Sequence, residues 1–228
     1  MKRQIVTFCA VFLVATTLSY ASGAKDYTKV KDGTKDSHLV SNLSYPVFNI
    51  PVLDNAISNE IVTHYEDFAL TAETEWEDYT KAVQEVDSEA TAPQFTYQVS
   101  YEKPIITDKY ISVLFTRYIF SGGAHGETQL ITFTYDKEND KLLSITEAAG
   151  KSLEEIAGIC KLTLKNEIQY EASSSVDRNS MIDAGTIALP KNFADFTFDG
   201  KVVTVYFEQY QVAPYAAGIQ KVEIPIVK

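Results

Sequence analysis

The sequence predicts an α+β fold: antiparallel sheets with a long helix and a second helix packed on one face, arranged as two helix-plus-strand lobes. A helical stripe runs from Ile57 to Val83, alternating strands follow it, and a second helical stripe separates those strands from a last group. The chain has 228 residues, 45% hydrophobic and 22% charged, which is enough for a sizeable core and unlike a disordered or membrane-bundle composition.

The first strand reads from His38 to Phe48 and stops at Pro51. Asp54 is placed to cap the helix that follows. Ile57, Ile61, Tyr65, Phe68, Ala72, Trp76, Tyr79 and Val83 then recur at steps of four or three, one continuous buried stripe. The other face carries Glu66, Asp67, Glu73, Glu75, Glu77 and Asp78 with no intervening base. Such a run is a solvated face or a docking surface for a cationic protein, and without turn glycines or carbonyls it makes a poor calcium cage.

Strands come next. Phe95, Tyr97 and Val99 alternate within Gln94–Tyr101. Lys109–Phe120 presents Ile111, Val113, Phe115 and Ile119 on one side; Thr128–Tyr135 presents Ile131, Phe133 and Tyr135. One apolar face per strand means an antiparallel sheet covered on one side. The polar turn Asp136–Asp140 leads to a short strand at Leu142–Ile145. Ser152 and Glu155 have capping-box spacing, and Leu153, Ile156, Cys160, Leu164 and Ile168 form the second helical stripe. Residues 171–189 are mixed, with a Ser173–Ser175 loop and a helical turn near Met181. Phe193–Phe198 and Val202–Phe207 make a hairpin on the two-residue turn Asp199-Gly200. The loop Glu208–Gly218 leads to a last strand, Ile219–Val227, which Pro225 places at an edge or near its end.

Residues 1–24 read as a secretory signal peptide: Lys2 and Arg3, an apolar run from Ile5 to Leu18, then Ser19-Tyr20-Ala21 or Ser22-Gly23-Ala24 for cleavage. The run is shorter than a membrane span needs, and Phe8 before Cys9 does not suit lipoprotein processing. The expected product is exported, periplasmic or extracellular, with no stable membrane insertion. Residues 25–36 read as a flexible lead-in, 37–147 as an N-terminal lobe and 148–228 as a C-terminal lobe. The whole chain has 20 basic and 31 acidic residues, a formal charge of −11; without residues 1–24 there are 18 bases against 31 acids, −13. That balance argues against nucleic acid and against an anionic lipid surface. Cys160 is then the only cysteine, so no internal disulfide forms, and its apolar helical position implies a buried, inert thiol.

Few residues carry recognisable chemistry. Of the histidines, His38 lies beside the lead-in, His64 lies off the helical stripe and is expected to be exposed, and His125 sits in a glycine-rich turn. There is no HxxxH, CxxC, GxSxG or P-loop pattern, so neither a metal nor another cofactor is expected. No carboxylate pair of the glycosidase kind stands out among 31 acids. Two segments do stand out. Gly122, Gly123, His125 and Gly126 form a turn that either only connects strands or enters a partner's cleft. The loop holding Tyr210, Pro214 and Tyr215 either seals a sheet or binds, since tyrosine buries much area at small entropy cost.

SGGAHG with its following strand and polar turn, then SLEEI, then FDGKVVTVYFEQYQVAPYAAGIQKVEIP, resembles an extracellular domain-of-unknown-function family. That family occurs in the ectodomain of the anti-sigma-V factor RsiV and beside the catalytic domain of PdaC-type peptidoglycan deacetylases. The upstream YPVF…LDNAISNEIVTHYEDF is similar to the companion segment that commonly precedes it, so the resemblance covers roughly residues 40–227. It implies an α+β fold with each helix on antiparallel strands. The lysozyme-sensing role of the anti-sigma relatives implies contacts on Gly122–Gly126 and on Tyr210, Pro214 and Tyr215. The sequence departs from those relatives in having no sigma-binding segment and no internal transmembrane helix, and from the deacetylases in lacking their metal-binding histidine pattern. The expectation is therefore an envelope binding protein that is not an enzyme, recognising or inhibiting a cationic cell-wall hydrolase such as lysozyme. The alternative is a peptidoglycan or carbohydrate-binding module using Tyr210, Tyr215 or Trp76, and a carboxylate-based hydrolase comes third.

Overall fold

The computed structural model describes residues 27–35, 38–167 and 178–226. The proposed signal peptide with Cys9, as well as Ile168 and Ser173–Ser175, lies outside the described residues.

The long helix begins at Pro51, whose fixed φ suits the first helical position and whose missing N–H costs nothing there. It runs as α1 (Pro51–Ser58), a π-helical turn over Asn59–Thr63, and α2 (His64–Val86). Asp54 is not its cap. It sits one turn inside, and its carboxylate reaches back to accept the backbone N–H groups of Phe48 and Ile50 at 2.8 and 2.9 Å. The expected stripe faces the sheet, with Ile57, Ile61 and Ala72 fully buried and Tyr65, Phe68, Trp76 and Tyr79 partly so.

The larger sheet contains β1 (Thr28–Asp32), β2 (Leu39–Val47), β3 (Phe95–Tyr101), β4 (Ile105–Ile106), β5 (Tyr110–Phe120), β6 (Glu127–Asp136) and β7 (Lys141–Leu142). Its order is β1-β2-β3-β5-β6-β7, with β4 beside β5. Every pair is antiparallel except β2 with β3. That pair is parallel because the long helix supplies the crossover that parallel neighbours require. β1 corrects the flexible lead-in. Tyr27 packs on Phe48 and Tyr101 at 5.6 and 6.2 Å, Val30 joins the same core, and Lys29 lies over the Tyr101 ring. Two apolar residues among charges are too few to show a period.

Beneath the π turn lies a side chain that the sequence does not flag. Arg117 on β5 is buried on the helix side of the sheet, bonded to Glu60 and to Gln129 at 2.9 Å each. Tyr97, fully buried, points its hydroxyl at the Ile61 carbonyl and at His64 Nδ1. His64 is accordingly half-buried rather than exposed, and burial with the Arg117 charge lowers its pKa.

The second unit is built on a smaller core. α3 (Ile145–Ala149) replaces the end of the expected strand at Leu142–Ile145, because Ser144 and Glu147 close a capping box. α4 (Leu153–Glu167) starts on the expected Ser152–Glu155 box. With α5 (Arg178–Gly185) it covers β8 (Phe196–Phe198), β9 (Val202–Phe207) and β10 (Gln220–Pro225), an antiparallel sheet in the order β10-β9-β8. Pro225 ends the edge strand β10, where its missing N–H breaks no ladder. Cys160 is wholly buried among Ile156, Leu164 and Phe207, and burial pushes its thiol up to about 12.

The two sheets meet through side-chain hydroxyls. β5 and β6 turn Ile111, Val113, Phe115, Ile131 and Phe133 toward the helix, leaving Ser112, Thr132 and Thr134 on the opposite face. Against that face lies β8. Phe198 N–H donates to Ser112 Oγ at 2.9 Å, and Phe196 N–H donates to Thr132 Oγ1 at 3.0 Å. The Thr132 hydroxyl donates onward to the Ala194 carbonyl, and Ser112 also bonds Thr134. Replacing Ser112 by Ala strands a buried amide and should cost about 1–3 kcal/mol. Urea denaturation should show this as a lowered midpoint, with Thr132→Val giving a smaller loss in the same direction.

Candidate functional site

The β5–β6 turn and the β9–β10 loop come together at one end of the molecule. In the first, Gly122 adopts φ 99° against the ring of Tyr79 on α2, where an added Cβ would stand 2.8 Å from Cε2. A side chain there is excluded by both backbone and space. Gly126 lies against the Tyr118 ring, while Gly123 faces open space. His125 Nδ1 lies 3.0 Å from the Gly126 carbonyl, a bond it makes as donor.

The second loop has a packed half and a presented half. Val212 and Ala213 are buried in the core of the second unit. Gln211 fixes the backbone on both sides: its Oε1 accepts from Glu208 N–H, and its Nε2 donates to the carbonyls of Gly185 and Asn192. Tyr210 is thereby held at φ 69°, a conformation costly for a residue with a side chain. It stands 61% exposed. Pro214, half-buried, opens the short turn Tyr215–Ala217, and Tyr215 is 45% exposed.

These rings form one row. His125 and Tyr215 have centroids 5.8 Å apart at 31°, and Tyr215 and Tyr210 5.5 Å apart at 36°. Of the sequence-singled residues, His125, Tyr210 and Tyr215 are brought together, Gly122, Gly123 and Gly126 shape the turn, and Pro214 sets the direction of Tyr215. An exposed row of rings from two separate loops offers flat apolar surface with polar tips, suited to an amphipathic ligand.

Beside the row is a carboxylate pair that the sequence does not single out. Glu208 begins the turn that presents Tyr210, and its Oε1 accepts the Leu130 N–H at 2.7 Å. Burial, with the Glu208 charge, pushes Asp195 up to about 7. Such a group exchanges a proton near neutral pH. Among the described residues no three His, Cys, Asp or Glu side chains converge as a metal cage requires.

The comparisons with known proteins follow the two units. Residues 33–128 match the family model described as Deacetylase PdaC, and residues 142–226 match the one described as a protein of unknown function, DUF3298. Each unit of the chain is therefore similar to a different family model. The chain is 27% identical over 197 residues to the peptidoglycan-N-acetylmuramic acid deacetylase PdaC of Bacillus subtilis, a match over 86% of this chain and 39% of that protein. The chain thus spans about two fifths of the length of this curated relative. Two solved structures share the fold. A DUF3298-family member from Bacteroides fragilis has a TM-score of 0.57 at 16% identity, covering 88% of this chain and 89% of that one. A DUF3298-family protein from Pseudomonas aeruginosa has a TM-score of 0.56 at 16% identity, covering 88% and 91%.

The expectation that the chain is not an enzyme is overturned here. The curated relative is named for an enzymatic activity, and the family model over residues 33–128 carries that activity in its description. The matches support the deacetylase-associated half of the motif resemblance; the anti-sigma-V half rests on the motifs alone. No helix among the described residues is long and apolar enough to cross a membrane.

Asp195 sets a pH dependence. Its folded pKa lies above the unfolded carboxylate value of about 4. Between roughly pH 4 and 7 the native state holds a proton that the unfolded chain has lost, so stability falls as pH rises through that window. Asp195→Asn mimics the protonated form: its Tm should exceed the parent's at pH 8 and match it at pH 4, as followed by circular dichroism.

Proposed function

We propose that this is a cell-envelope protein that engages peptidoglycan in the course of its deacetylation. The observation that carries the reading is the row His125–Tyr215–Tyr210, exposed and held by two anchored loops. Alternating sugars present C–H faces that pack on such rings and hydroxyls that reach their polar tips. The curated relative supports the choice of ligand, since its name gives peptidoglycan as its substrate. Asp195, beside the same loop, supplies a group able to take or give a proton near neutral pH.

A second reading is favoured by one observation. Glu66, Asp67, Glu73, Glu75, Glu77 and Asp78 are all exposed on α2. An acid face of this kind steers a cationic cell-wall hydrolase such as lysozyme, with affinity that falls as salt rises.

The test is co-sedimentation with purified peptidoglycan together with acetate release from it. Tyr215→Ala should cut retention about tenfold, the 1–2 kcal/mol of an interface aromatic. Tyr210→Gly should weaken retention while leaving the protein as stable or stabler, since glycine adopts φ 69° without strain. Retention unchanged in both variants, with saturable lysozyme binding at physiological salt, would replace the first reading by the second.

A further inference from the structure

A concave surface lies between the C-terminal half of α2 and the segment that leads into β3. This cleft of about 530 Å³ is walled by Trp76, Thr80, Gln84, Thr91, Pro93 and Gln94, with two alanines between them. None of these side chains is charged, in a chain where 22% of residues are. Trp76 is braced from behind, edge-on to Phe95 at 5.6 Å and against Tyr79 at 5.9 Å. It contributes a rigid indole wall. Thr80 and Gln84 follow it along the same face of α2, and Thr91 and Gln94 complete the lining; their amides and hydroxyls pair with neutral donors and acceptors and leave an ionic ligand without a counter-charge. The Thr80 hydroxyl is buried without a hydrogen-bond partner in the protein, so this wall has a polar group still to be satisfied.

Around the cleft, α2 exposes Glu73, Glu75 and Glu77. Their field disfavours a carboxylate at the mouth. An aromatic wall, uncharged amides and acidic surroundings together describe a site for a neutral, acetamido-bearing sugar. The cleft also connects to the aromatic row: Trp76 touches Tyr79, Tyr79 touches Gly122, and Gly122 opens the turn that carries His125.

We infer that the Trp76 cleft binds an N-acetylglucosamine residue of the glycan strand and works as a subsite separate from the His125–Tyr215–Tyr210 row. The inference rests on the reading of the protein as a peptidoglycan binder and adds which sugar is held and where. N-acetylmuramic acid carries a lactyl ether that ends in a carboxylate or, in the polymer, in the carboxylate-bearing stem peptide; either is bulkier and more anionic than N-acetylglucosamine and is disfavoured here, so the muramic residues of a bound strand are left to lie outside the cleft.

Trp76 is the only tryptophan in the chain, so its emission reports on this cleft alone. The N-acetylglucosamine tetramer, titrated into the full chain, should shift that emission saturably. The glucose tetramer, which lacks acetamides, should bind at least tenfold more weakly. Gln84 is exposed, so Gln84→Leu should fold as the parent does and weaken the tetramer about tenfold, or about 1.4 kcal/mol. An unmoved emission, or equal affinity in Gln84→Leu, overturns the subsite. Peptidoglycan retention that still depends on Tyr215 would in that case leave the broader reading standing. Loss of that dependence as well would remove both.

Discussion

The two sheets are joined by amides that lack strand partners. β8 is only three residues long, and its outer N–H groups at Phe196 and Phe198 meet the hydroxyls of Thr132 and Ser112 instead of a neighbouring strand. An unpaired strand edge is both a desolvation cost and a template for aggregation. Here the polar face of the large sheet satisfies it. The same junction satisfies β6, whose Leu130 N–H is taken by the Glu208 carboxylate. This arrangement fixes where the second unit sits along β5 and β6, and so decides which loops become neighbours. The β5–β6 turn and the β9–β10 loop lie at the same end because β8 is held in this register. Without it His125 and Tyr215 would have no reason to stack.

Anchoring on both sides makes the row stiff. Gly185 ends α5 with the Gln211 carbonyl so close that any side chain would collide with it. Gln211 answers with bonds to Gly185 and Asn192, and Val212 and Ala213 are driven into the core. Three consecutive positions, Gln211 to Ala213, are thus determined by bonds and packing, and Tyr210 must absorb the chain reversal at φ 69°. Strain of order 1–3 kcal/mol persists only where the surroundings over-determine it. The result is an exposed ring whose backbone does not need to be ordered when a ligand arrives, which removes one of the main costs of binding.

Periodicity made the helices and the central strands legible. Eight apolar positions at steps of three and four in the long helix, and alternation in β3, β5 and β6, each reflect burial of one face, and burial is what the pattern records. What failed has the same explanation. β1 has too few apolar residues to show a period and is held by its ladder to β2, by Val30, and by Tyr27 just before it, which packs on the distant Phe48 and Tyr101. Asp54 suggests a cap because carboxylates favour helix starts, yet Pro51 begins the helix a turn earlier and leaves Asp54 to bind the preceding backbone. Arg117 and His64 are drawn inward by partners from other elements, a pairing no local window contains. The same holds for Asp195 with Glu208, thirteen residues apart and joined only by the fold. The expectation of no enzyme came from absent motifs, and absent motifs speak only to the chemistries those motifs encode.

A charge of −11 constrains how the proposed binding to a cell-wall polymer would work. The wall polymer bears carboxylates on its peptides and on any muramic residue without one, so long-range electrostatics oppose the encounter. Affinity must then come from short-range contacts that salt does not screen, namely ring faces and neutral hydrogen bonds. Both candidate surfaces have that character. The row stacks the exposed rings of Tyr210 and Tyr215 on each other; the Trp76 cleft is lined by an indole, small apolar groups, amides and hydroxyls, with no charged side chain. Repulsion from the acids of α2 adds selectivity at no cost to the contact itself, because it penalises anionic stretches of the polymer more than neutral ones. On the proposed reading, an acidic protein that binds an acidic polymer through aromatic and amide groups would read the sugars and be insulated from the charge.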